Sequence, residues 1–112
     1  MTNEEFIKTL DLEPKDMTTT ECYILKADGT QLKVSPAKGS TFTLAELQSI
    51  VGGYIEAIFM GNMMIIANED GIQHGLPYND GASKIYRKYY NTDDENRLIV
   101  GDVLLCPSNM ME

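Results

Sequence analysis

FTLAELQSIVGGYIEAIFMGNMMIIANEDG, residues 42–71, is the stretch on which the reading of the fold turns. Thr43 stands where a helix cap belongs, and Glu46, three residues on, can reach back to complete a capping box. Phe42 before the cap and Leu47 in the second turn have the spacing of a hydrophobic staple. Leu44, Leu47, Ile50 and Val51 then form one apolar stripe, and Gly52-Gly53 supplies the left-handed stop. A helix over 43–51 follows. Tyr54 to Asn68 predicts a β-hairpin turning at Gly61-Asn62. By alternation, Ile55, Ala57, Phe59, Met64 and Ile66 share one face. Ile58, Met60, Met63 and Ile65 share the other, together with the charged Glu56. Both faces are apolar, so both should be covered.

Outward from this segment the chain keeps alternating. A second helix is predicted from Asn79 or Asp80 to about Tyr90, with Ala82, Ile85, Tyr86 and Tyr89 on one side and Lys84, Arg87 and Lys88 on the other. Leu98 to Cys106 reads as a buried strand with a bulge or close approach at Gly101-Asp102. On the other flank, Glu21 to Pro36 predicts a hairpin around Asp28-Gly29, a pair suited to a two-residue turn. Such a turn would pair Leu25 with Leu32 and Tyr23 with Val34 on a dry face, opposite a wetter face of Lys26, Gln31, Ile24 and Lys33. Residues 2–10 have the capping and apolar spacing of a short helix, followed by a connector. The expected class is α+β: a mainly antiparallel sheet of about five strands, two packed helices and a short N-terminal helix. The expected division is an N-terminal appendage over 1–20, one domain over 21–107 and a tail over 108–112.

The chain has 112 residues and a formal net charge of −8. That balance argues against a partner held by its phosphate backbone, which needs Lys and Arg. The acids are spread, with Asp93-Asp94-Glu95 the longest run, so solubility explains them better than imitation of a nucleic acid. No stretch approaches the roughly 18 apolar residues of a membrane span. The acidic start, MTNEEFIKTL, is unlike a signal peptide, and a cytoplasmic location is expected. Two cysteines, Cys22 and Cys106, make no disulfide framework and read as free buried thiols, though strand ends could make them neighbours.

Few groups suit catalysis or metal binding. His74 is the only histidine, so no histidine pair can hold a metal. Asn68-Glu69-Asp70-Gly71 lacks the alternating acids and distal Glu of a calcium loop and reads as a turn. Gly52-Gly53 ends a helix, where the dipole repels phosphate. Glu56 and Asp102 interrupt apolar strands, and as a pair they are the best sequence candidates for a buried polar site. Tyr86, Tyr89 and Tyr90 beside Lys84, Arg87 and Lys88 form the one basic patch; core tyrosines and a solvated cationic face account for it. No catalytic residue, metal ligand or cofactor is assigned.

FTLAELQSIVGGYIEAI, then NEDGIQHGLPYN, the alanine of GAS and IVGDVLL resemble a small domain-of-unknown-function family common in phages, plasmids and integrated elements of gut bacteria. The resemblance covers about residues 21–106. It implies an α+β domain without known catalysis, and Gly52, Gly53, Tyr54, Glu56, Asn68, Gly71, Leu76, Pro77, Asn79, Gly101 and Asp102 match its pattern. The expected function is therefore a non-enzymatic accessory protein that binds a host or self protein. The alternative is a small, nucleotide-like ligand held by the GLPYN loop, Tyr54 and the cations of the second helix. Candidate binding residues are Tyr54, Glu56, Asn68, Pro77, Asn79, Asp102, Lys84, Arg87 and Lys88. A protein partner is expected, with neither a membrane nor a nucleic-acid backbone, and a second copy could cover the doubly apolar hairpin.

Overall fold

Thr43 caps the helix the sequence predicts: its hydroxyl accepts from the Glu46 amide at 3.2 Å, while Glu46 Oε1 accepts from the Thr43 amide at 3.0 Å. That helix, α1, runs Leu44–Val51 and ends at Gly52, whose φ of 80° is left-handed. In the computed structural model, residues 21–90 and 98–111 are described. The helix expected over 2–10 and the acidic 93–95 loop lie outside them.

Five strands form one antiparallel sheet: β1 Cys22–Leu25, β2 Gln31–Val34, β3 Ile55–Met60, β4 Met63–Asn68 and β5 Val103–Pro107, in the order β2-β1-β5-β4-β3. The second helix, α2, spans Asp80–Tyr90. The fold class is α+β, as the periodicity implied. Both apolar faces of β4 are covered, whereas on the edge strand β3 Phe59 stays 52% exposed. Met64 and Ile66 join Leu47 and Val51 of α1 in one buried cluster. Ile58, Met60, Met63 and Ile65 join Ala82 and Ile85 of α2 in another. The sheet is thus the middle layer between two helices, which is why β4 is buried along its whole length.

The first hairpin departs from expectation by one residue of register. Cys22 pairs with Val34, Tyr23 with Lys33, Ile24 with Leu32 and Leu25 with Gln31. The loop is longer than two residues: the Lys26 amide donates to the Thr30 carbonyl at 2.8 Å, and Gly29 takes a positive φ, of 95°. Asp28 fixes this loop by accepting from the Thr30 amide and hydroxyl. A one-residue shift exchanges the faces of a strand. Val34 therefore joins Cys22 and Ile24 on the α1 side rather than Tyr23 and Leu25 on the α2 side, and β1 has no wet face. Residues 108–111, read as a tail, pack back: the Phe42 amide donates to the Met110 carbonyl at 2.7 Å, and Met111 bridges to Phe42. Among the described residues, no helix is long and apolar enough to cross a membrane.

Three carboxylates are held below their ordinary range. The Lys33 ammonium, 2.8 Å away, lowers Glu21. The Thr30 hydroxyl lowers Asp28, and the Thr43 amide lowers Glu46. In each case the unfolded chain binds a proton more readily than the folded one. Their contribution is complete above the ordinary values of 4.5 for Glu and 3.8 for Asp, and is lost as pH falls through the lowered ones. Urea unfolding followed from pH 7 to pH 3 should therefore show falling stability in acid, with a shallower fall in Glu46→Gln. A variant with the wild-type pH slope would show that the capping carboxylate plays no part.

Candidate functional site

The strand registers bring one set of loops to a common end of the sheet. Leu25, Gln31, Val103, Asn68 and Ile55 are the strand residues there, and Gly52-Gly53-Tyr54, the 69–79 segment and 98–102 cover them. Asn68 anchors this end. Its Nδ2 donates to the Val51 carbonyl at 3.2 Å, its Oδ1 accepts from the Asp70 amide at 2.8 Å, and its carbonyl accepts from Gly71. Gly71 must be glycine because an added Cβ would lie 2.7 Å from Val100 Cγ2 and 3.3 Å from the Asn68 carbonyl oxygen. Asn79 is a second anchor, buried completely. Its Nδ2 donates to the carbonyls of Leu25 and Gly101 at 2.9 and 2.8 Å, and its Oδ1 caps α2 through the Ala82 amide at 3.0 Å. Both side chains are occupied in holding the fold.

Between the anchors the surface is open. A hollow of about 350 Å³ is lined by Gln48, Gly53, Tyr54, Asp70 and His74. Tyr54 is 69% exposed and Ile72, on the same loop end, 65%. A neighbouring hollow of about 280 Å³, across the C-terminus of α1, is lined by Leu76, Pro77, Gly101 and Asp102 among others. Asp102 is half-buried, and its Oδ1 accepts from the Ala27 amide at 3.0 Å, tying the first hairpin loop to the entry of β5. Glu56 lines a third and smaller hollow with Ile58, Asn68, Ile72 and Val100. Glu56 and Asp102, paired in the sequence reading, thus line different hollows.

The cations of α2 are elsewhere and mostly engaged. Lys84 Nζ lies 3.0 Å from Asp80, and Arg87 Nη2 donates to the Tyr78 hydroxyl at 3.0 Å; Lys88 is exposed. Tyr86 and Tyr89 pack against the core, and the Tyr90 hydroxyl donates to the Phe59 carbonyl. None of the three hollows is lined by Lys84, Arg87 or Lys88. Asp70 and His74, read from the sequence as part of a turn and as a lone histidine, are the lining residues not among the predicted binding candidates. Their signal was the NEDGIQHG turn itself, which places them beside Tyr54 only once Asn68 has bonded to α1.

Among the described residues, no group of three or more His, Cys, Asp or Glu could hold a metal ion. Both thiols are free and buried, and burial pushes Cys22 up and Cys106 up to about 12, which slows their reactions as nucleophiles.

An antiparallel five-stranded sheet between two helices, with one end left to loops and anchored by two buried asparagines, defines a small α+β domain with an open loop surface. Residues 19–110 match the model of DUF3846, described as a domain of unknown function, and the chain belongs to that family. No curated protein and no solved structure matches the chain.

Proposed function

We propose that this domain is a non-enzymatic interaction protein that docks a basic segment of a partner protein on its open loop end. The observation that carries this reading is Tyr54, an exposed aromatic ring standing beside Asp70 in a hollow at the C-terminus of α1. The carbonyl end of a helix is the negative end of its dipole. Carboxylates and an exposed ring at such a place complement a guanidinium or ammonium group, which an aromatic face attracts as well. The net charge of −8 supports the same sign of partner. A nucleotide-like ligand is less well served, because Lys84 and Arg87 already pair with Asp80 and Tyr78 and neither lines the hollow of Tyr54. A phage or mobile-element setting, a cytoplasmic location and a host protein as target extend this reading from the sequence resemblance.

Cross-linking mass spectrometry on the partner complex tests it. Cross-links should fall around residues 69–78, and Tyr54→Ala and Asp70→Lys should each weaken binding about thirty-fold, the ~2 kcal/mol of a contact hot spot, while melting stays unchanged. Cross-links confined to α2 or to the β2 edge, or a melting shift with nucleotides that Tyr54→Ala abolishes, would overturn it.

A further inference from the structure

We propose that Cys22 and Cys106 are a reversible disulfide site that locks the first hairpin onto the central strand. The ladder between β1 and β5 pairs Tyr23 with Leu105, Ile24 with Leu104 and Leu25 with Val103. Continued by one residue, it sets Cys22 opposite Cys106. The flanking registers make a row across four strands, Val34–Cys22–Cys106–Met64. Both thiols face α1, in the cluster with Phe42 and Leu47. Residues directly opposite in an antiparallel pair have Cα atoms about 4.5–5.5 Å apart, inside the roughly 4.4–6.8 Å that a disulfide spans. The side chains share a face, so the sulfurs can join without a change of register. The charge of Cys22 also acts on Cys106, as it must if the two are neighbours.

The place of the bond gives it a consequence. Among the described residues, the β2-β1-β5-β4-β3 order makes β1–β5 the only seam between the first hairpin and the remaining strands. β1 is only four residues long, so its opening exposes Cys22 at its first position. The partner reactant is a small disulfide such as oxidised glutathione. The Cys22 thiolate attacks one of its sulfurs, forming a mixed disulfide and releasing one glutathione thiolate. The Cys106 thiolate then attacks the Cys22 sulfur and releases the second. Two protein thiols are oxidised, one small disulfide is reduced, and the two protons leave with the two glutathiones. Cys106 is the more deeply buried and its thiol the less acidic, so Cys22 is the entry point and the reaction is slow.

The test incubates the full chain, folded, with excess oxidised glutathione. The expected product is a monomer whose free thiols fall from two to none, with no glutathione retained. A peptide map should join Cys22 to Cys106. Dithiothreitol should restore both thiols, and the oxidised form should melt higher than the reduced one. Cys106→Ser should stop at a mixed disulfide on Cys22. Retention of glutathione by the wild-type chain, cross-links between chains, or two persistent thiols in the folded protein that the same oxidant closes in denaturant would each overturn the proposal. The peptide map on the wild-type chain decides the matter even if the serine variant fails to fold.

Discussion

Asn79→Ala is expected to lower stability by about 3–5 kcal/mol, a large part of the roughly 5–15 kcal/mol that holds a domain folded. Three bonds are lost. Removing a helix cap costs about 1 kcal/mol, here the Oδ1 bond to Ala82 at the start of α2. The carbonyls of Leu25 and Gly101 lose their Nδ2 donor where water cannot replace it, at about 1–3 kcal/mol each. The Asn79 amide still donates to the Ile99 carbonyl, so the loop keeps its path and the loss is that of the side chain alone. Asn79→Asp separates the contributions. It retains a cap acceptor but turns an oxygen toward the two carbonyls, and should cost at least as much as alanine. Urea denaturation checks both. A cost below about 1 kcal/mol for alanine would mean that the two carbonyls find other donors and that Asn79 is only a cap.

Leu105→Ala is expected to cost about 3–4 kcal/mol, within the 2–5 kcal/mol typical of a large residue removed from a core. Leu105 is fully buried on the α2 side of the central strand, between Tyr23 of β1 and Ile65 of β4. Neighbours bonded into a sheet cannot slide in to close the space, so most of the cavity persists. Leu32→Ala, at a half-exposed position on the β2 edge, serves as the comparison and should cost less than about 1 kcal/mol. Equal losses at the two positions would show that the β1–β5 seam is loosely packed, which would also weaken the case for a bond between Cys22 and Cys106.

Much of this architecture was legible before any coordinates. The capping box of Thr43 and Glu46, the stop at Gly52-Gly53 and the turn at Gly61 are local events, decided by residues within a few positions of one another. The doubly apolar β3–β4 hairpin announced a sheet covered on both sides. The first hairpin departs from a two-residue turn because Asp28-Gly29 suits two loop lengths. Choosing between them depends on Asp28 bonding to Thr30 and on where Leu25 is buried, and alternation alone does not weigh either. The candidate site was legible only in pieces. Tyr54, Pro77 and Asp102 fall at the loop end, whereas Asn68 and Asn79 turned out to be fasteners and the α2 cations lie apart.

By itself the sequence determined the elements: which segments are helix or strand, how they begin and stop, and that no histidine pair, cysteine framework or phosphate loop is present. Those properties follow from spacing and side-chain type, which act over one or two turns. The tertiary structure alone decided the neighbours. It set Cys22 and Cys106 on adjacent strands, brought His74 and Asp70 into one hollow with Tyr54, and bonded Asn79 to the carbonyls of Leu25, Ile99 and Gly101. Such meetings depend on strand order and register, which are chosen by how the whole core is buried, and no local stretch of residues encodes that choice.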